Sequence, residues 1–114
     1  MADCLFCKIV AGEIPSTKVY ENDVVYAFRD INPQAPVHIL IIPKRHYENM
    51  LEMSAVRNGH IVNIMEAAAE IAKAEGIDQS GFRLITNCGS DGAQSVKHVH
   101  FHLLGGRPLS VNMA

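Results

Sequence analysis

The chain has 114 residues, 48% of them apolar, and a formal charge of -2, enough for one modest hydrophobic core but not for two comfortable domains. That acidic balance, with no Lys/Arg block to offset it locally, excludes a nucleic-acid binder that works by neutralising many phosphates. Any phosphate chemistry here would involve a small ligand.

The opening MADCLFCKIV shows no basic run followed by an apolar stretch, and the longest greasy run, VHILIIP, is far too short to span a bilayer. A cytoplasmic protein with neither a membrane nor a nucleic-acid partner is therefore expected. The odd set Cys4, Cys7 and Cys88 would stay as thiols in a reducing compartment unless a metal takes them. After the first residues, TKVYEND and VVYAFRD are β-branched and aromatic runs separated by an Asn-Asp turn signal, which predicts an antiparallel hairpin. HILIIPK, between Pro36 and Pro43, predicts a buried strand. From Ser54, an expected N-cap, Ile61, Met65, Ala68, Ile71 and Ala72 recur at helical spacing and predict one long helix ending near Gly76, although Asn58-Gly59 sits awkwardly inside it. GFRLITN then predicts a strand, CGSDGAQSV a polar loop, and HVHFHLL a last strand ended by Gly105-Gly106. Five strands on short turns with one inserted helix give an α+β fold on an antiparallel sheet.

Strand periodicity puts His98, His100 and His102 on one face, with Val99, Phe101 and Leu103 on the other. One metal cannot easily serve all three histidines, because the Cα atoms of the outer pair would lie ~13 Å apart at the strand rise. Cys4-Leu5-Phe6-Cys7 has the spacing that lets two thiolates share one tetrahedral zinc, completed by two imidazoles. His46 and one of the strand trio are the candidates. The same spacing also serves redox pairs, but that role usually has a βαβ context and here the pair opens the chain, so zinc is the favoured reading of the two.

HVHFHLL fits the pattern H-x-H-x-H-x-x with apolar x, and FCKIVAGEIP, YAFRDINPQAPVHILIIPKRH and GSDGAQSVKHVHFHLLGGRP follow in order and spacing. On these residues the chain resembles the histidine-triad (HIT) superfamily over nearly its whole length, and within it the nucleotide-binding hydrolase branch. The resemblance implies a single HIT domain over 1–114, with a five-stranded antiparallel sheet, one long helix and a short N-terminal helix. It also implies a homodimer whose two sheets join into ten strands. The implied activity is hydrolysis of a phosphoramidate or related bond at the α-phosphate of a purine nucleotide, through a covalent nucleotidyl-histidine. Two alternatives are a dinucleoside polyphosphate hydrolase and a non-catalytic, zinc-stabilised nucleotide-binding module.

Carried over by position, the resemblance makes His100 the nucleophile and gives His102 the phosphate oxygens. His38 completes the cluster, and Ser95 contacts the phosphate and relays a proton to the departing amine. Asn87 and the backbone from Gly92 through Gln94 and Ser95 to Val96 would cradle the phosphate. Asp30, with Ile31 beside it, would take the ribose hydroxyls. Leu5, Phe6, Ile9 and Phe28 would form the slot for the base. Cys4, Cys7, His46 and His98 would hold a structural zinc. Three departures from the family pattern stand out: Lys97 replaces an aromatic residue, the tail after Gly106 is short, and Ala93 replaces a glycine, which the loop accepts if φ there is negative.

Overall fold

The computed structural model describes residues 3–112, so Met1, Ala2, Met113 and Ala114 of the expected domain lie outside the described residues. In chain order the elements are α1 (Leu5–Val10), β1 (Lys18–Glu21), β2 (Val25–Arg29), β3 (Val37–Pro43), α2 (Met50–Ala55), α3 (His60–Ala74), β4 (Phe82–Thr86) and β5 (Phe101–Gly105). The strands form one antiparallel sheet in the order β1-β2-β3-β5-β4, as the α+β expectation requires. Asn22 closes the β1–β2 hairpin by accepting the amide protons of Val24 and Val25 on its side-chain oxygen, at 2.9 and 2.8 Å.

β3 is the central strand and is buried at all seven residues, because both faces of the sheet are covered there. Period two then sorts its side chains. Val37, Ile39 and Ile41 join Val25, Ala27, Phe101 and Leu103 against Ile64, Ala67, Ala68, Ile71 and Ala72 of α3. Leu40 and Ile42 face the other way, with Tyr26 and Phe28, and meet Phe6 and Ile9 of α1. Fully burying side chains such as Ile39, Ile41 and Leu103 contributes about 1.5–3 kcal/mol each. The long helix therefore owns one face of the sheet and the short N-terminal helix the other.

Two expected boundaries need correction. The helix predicted from Ser54 is two helices: Asn49 caps α2 by accepting the Glu52 amide at 3.0 Å, and Ser54 lies inside α2. The break falls at Asn58-Gly59, where Gly59 is left-handed at φ 81° and precedes α3. Gly59 offers no side-chain cap, and the Asn58 side-chain oxygen accepts the His60 amide at 3.1 Å in place of the expected hydroxyl. The last strand begins at Phe101 instead of His98. Ahead of it the Val99 amide donates to the Tyr47 carbonyl of the loop after β3 at 2.7 Å, while the His100 carbonyl accepts the Thr86 hydroxyl of β4 at 2.9 Å. The alternation of faces nonetheless continues through residues 98–100, since Val99 packs in the α3-side core while His98 and His100 lie against Phe6.

The condition placed on Ala93 is not met: its φ is +58°, and it is the one non-glycine residue with positive φ among the described residues. Holding an L-residue there costs about 1–2 kcal/mol. The preceding Gly92 is constrained differently, since a Cβ would sit 2.5 Å from the Cys88 carbonyl oxygen. Ala93→Gly is therefore expected to raise thermal stability by about 0.5–1 kcal/mol, whereas Gly92→Ala lowers it by more than that. Calorimetric melting of the two variants checks the pair, and a lower Tm for Ala93→Gly contradicts the strain.

Candidate functional site

The face under α1 collects five buried or half-buried imidazoles, His38, His46, His98, His100 and His102, and on three of them a backbone group decides which ring nitrogen carries the proton. His98 is fully buried, and its Nε2 lies 2.9 Å from the carbonyl oxygen of Pro43. A carbonyl only accepts, so Nε2 carries the proton and the Nδ1 lone pair is free. Nδ1 lies 3.3 Å from the Cys4 sulfur and 3.5 Å from the Cys7 sulfur, while Nδ1 of His46 lies 3.4 Å from Cys7. One donor atom from each of Cys4, Cys7, His46 and His98 falls within 4.8 Å of all the others. Four soft and borderline donors with these separations suit a tetrahedral ion bonded at about 2.0–2.3 Å, and the four could hold zinc. Burial, the largest cause, lowers the His98 pKa to about 4, so the ring is neutral as a ligand must be. Desolvation, then the neighbouring Cys4, raise the Cys7 thiol to about 11 in the absence of metal.

The arm that brings the cysteines is α1. Cys4 is its N-cap, with its sulfur accepting the Cys7 amide at 3.3 Å. Between the two cysteines, Phe6 turns inward, edge-on to His100 with ring centroids 5.1 Å apart and to His98 at 6.0 Å.

His100 has the opposite wiring to its neighbour. Its Nδ1 donates to the His98 carbonyl at 2.8 Å, which leaves the Nε2 lone pair unprotonated. Desolvation pulls its pKa below the ordinary histidine value, so the ring stays neutral. A neutral imidazole with a free Nε2 is a nucleophile at neutral pH.

The second cluster is Asp30, His38 and His102, whose donor atoms also lie within 4.8 Å of one another. Here hydrogen bonding argues against a metal. The Gln34 amide donates to His38 Nδ1 at 3.0 Å, so the His38 proton sits on Nε2, the atom a metal would need. That proton is given to His102 Nδ1 at 2.9 Å, with the Asp30 carboxylate 3.4 Å away. His102, accepting at Nδ1, therefore presents Nε2–H as a donor. Burial lowers the pKa of His38, and burial followed by the charges of His100 and His38 lowers that of His102 to about 4. Asp30 also serves its turn, accepting the Asn32 amide at 2.8 Å.

The remaining predicted positions divide. Phe6, Ile9 and Phe28 come together in one buried cluster, while Leu5 is exposed at its edge and Ile31 is 93% exposed. Ile9, Phe28 and Ile31 also line a cavity of about 270 Å³ with Ser16, Thr17 and Arg29. Asn87 donates to the Gly92 carbonyl at 2.7 Å and so braces the loop. Gln94 is committed to its own loop: its amide donates to the Glu48 and Val96 carbonyls at 2.6 and 2.9 Å, and its oxygen accepts from Gly89. Ser95 is exposed on that loop and Val96 half-buried. Sequence reasoning missed Pro43, Gln34 and Tyr47, because each acts through a backbone group that leaves no mark on residue type.

Since the native His102 stays neutral to about pH 4 while the unfolded ring protonates near 6.5, the unfolded chain binds more protons between these values. The contribution of this group to stability is full above about pH 6.5 and falls as the pH drops towards 4. His102→Gln is expected to flatten the Tm against pH curve over that window. An unchanged slope refutes the assignment.

Comparison with known proteins identifies the family. The model of the HIT domain family matches residues 11–109. The chain is 48% identical over 112 residues to a purine nucleoside phosphoramidase of Escherichia coli (strain K12), covering 98% of this chain and 94% of that protein. It is 48% identical over 111 residues to a 14 kDa zinc-binding protein of Brassica juncea, covering 95% of this chain and 96% of that one. A solved histidine triad protein from Clostridium difficile superposes with a TM-score of 0.95 at 51% identity, covering 99% and 98% of the two chains. With the fold, the triad segment and nearly the full length matched, this chain belongs to the HIT family.

Proposed function

We propose that this chain hydrolyses purine nucleoside phosphoramidates at the α-phosphorus through a nucleotidyl-His100 intermediate. The observation that carries the reading is the pair of opposed tautomers: His100 offers a bare Nε2, and His102 beside it, ring centroids 5.2 Å away, offers Nε2–H. The relative named as a purine nucleoside phosphoramidase supports the substrate class.

In this reading the Nε2 lone pair of His100 attacks phosphorus, the P–N bond breaks, and the amine departs with a proton relayed by Ser95. Water then attacks the same phosphorus, the P–N bond to His100 breaks, and nucleoside monophosphate leaves. His102 Nε2–H donates to a non-bridging oxygen as charge builds there, and His38, held by the Gln34 amide, keeps His102 in that tautomer. In the loop from Gly92 through Gln94 to Val96, braced by Asn87, the amides of Ala93 and Gln94 already donate to the Ser90 and Gly89 carbonyls at 3.0 Å, so the donors to phosphate are those of Gly92, Ser95 and Val96, while the Gln94 side chain holds the loop's shape. Asp30 and Ile31 meet the ribose, and Leu5, Phe6, Ile9 and Phe28 flank the base.

Zinc at Cys4, Cys7, His46 and His98 would supply a structural cross-link with no open coordination position, a reading supported by the zinc-binding relative and the donor geometry. A homodimer with a continuous ten-stranded sheet is supported by the open outer edge of β4, by Phe82 (43% exposed) on the α3 side of that strand, and by exposed Leu51, Val62 and Met65 on α2 and α3. A single-chain mass by light scattering refutes it. Among the described residues no helix is long and apolar enough to cross a membrane, and the unpaired thiols suit a cytoplasmic location, which cell fractionation reads directly.

Wild type incubated with adenosine phosphoramidate should release adenosine monophosphate and, in a sample quenched in alkaline denaturant, where a P–N bond to histidine survives, carry a nucleotidyl adduct by mass spectrometry. His100→Ala should lose at least about 1,000-fold in turnover and never gain the adduct. Absence of product from wild type refutes the enzyme reading, and faster cleavage of diadenosine polyphosphates would replace the substrate class. Separately, Cys7→Ser should lower bound zinc to well under one ion per chain by elemental analysis. Unchanged stoichiometry refutes the ligand set.

A further inference from the structure

The peptide plane joining His98 to Val99 carries two hydrogen bonds that point opposite ways. Its carbonyl accepts Nδ1–H of His100 at 2.8 Å, and its N–H donates to the Tyr47 carbonyl at 2.7 Å. Because the peptide is planar, these two groups turn together, and a plane whose N–H is donated has the more polarised carbonyl. The direction of the His100 ring is thereby referred to the backbone of Tyr47.

Tyr47 is itself held unusually firmly. It is 1% exposed, its hydroxyl receives a hydrogen bond from Asn58 Nδ2 at 2.8 Å, and the same hydroxyl bonds His60 Nδ1 at 2.8 Å. The Arg45 guanidinium lies 5.1 Å from the ring centroid. Asn58 and His60 flank the left-handed Gly59 that separates α2 from α3, so the Tyr47 side chain fastens the loop after β3 to the start of the long helix.

We propose that Tyr47 is a positioning residue for the nucleophile: through the 98–99 peptide it fixes the tautomer and aim of His100. The proposal rests on His100 being the attacking group. It adds to that reading a residue that touches neither substrate nor His100, and it gives the α2–α3 break a task in the site.

Tyr47→Phe keeps the buried ring and removes the hydroxyl, and Tyr47→Leu removes both ring and hydroxyl. Turnover of adenosine phosphoramidate should fall about tenfold in the first and further in the second, with KM within about twofold and bound zinc unchanged. The ¹⁵N resonances of the His100 ring should move from the Nδ1–H tautomer towards a mixture of tautomers. Ile64→Val, a core truncation in α3, serves as the stability control and should change neither turnover nor tautomer. The proposal is overturned if Tyr47→Phe and Ile64→Val behave alike, or if activity returns on adding zinc while the tautomer never moves. Should wild type show no turnover at all, the reaction fails but the His100 resonances still decide the role of Tyr47.

Discussion

Everything in this site depends on one constraint: a neutral imidazole has one donor and one acceptor, and the backbone claims one of the two on His98, His100 and His38. His98 gives its Nε2 proton to Pro43, so its Nδ1 faces the sulfurs. His100 gives its Nδ1 proton to the His98 carbonyl, so its Nε2 is bare. His38 receives the Gln34 amide at Nδ1, so its Nε2 proton goes to His102. Residues of one type on one face thereby acquire different chemistry, and none of the three assignments depends on the identity of another side chain. The same constraint separates the two clusters able to surround an ion: only the one containing His98 has its lone pair turned inwards.

The N-terminal helix ties these assignments to the packing of the sheet. α1 is too short to be stable alone, and its six residues are held by what they cover. Phe6 sits between two donors for the expected metal and also packs against Phe28, at 5.6 Å, and His100. A metal bound by Cys4 and Cys7 would therefore hold the wall of the apolar cluster as well as His98. In a fold this small, a cross-link between Cys4 and Cys7 and the 98–102 segment would act where hydrophobic area is most limited.

Much of the fold was legible in the sequence because its patterns are carried by side-chain chemistry. The apolar runs VYAFR and HILIIP, the Asn-Asp turn and the spacing of Ile61, Ala68, Ile71 and Ala72 each follow from what must face the core, whereas Met65, expected on the same stripe, is exposed and Ile64 takes the buried place. The separation of His98 from His102 followed from strand rise alone. The failures share a cause. The last strand starts later than expected because the tie between the Val99 amide and the Tyr47 carbonyl is a backbone event, and the α2–α3 break shows in the sequence only as an awkward Asn-Gly. The positive φ at Ala93 is likewise a backbone property, marked only by the glycine that the family pattern has there.

Burial adds a last consequence. Desolvation lowers the pKa of His38, His98, His100 and His102 alike, so the site is built from neutral rings with one carboxylate nearby. Under the proposed function, an anionic phosphate is then met by directed N–H groups instead of by a fixed cation. Such donors are worth most where water is excluded and charge is still developing, and they attract a distant anion only weakly. Ground-state affinity must then come chiefly from the apolar cluster around Phe6, Ile9 and Phe28, while the imidazoles act on the reacting phosphorus. That division places binding on α1 and β2 and chemistry on the 98–102 segment, and Phe6 is the side chain that belongs to both.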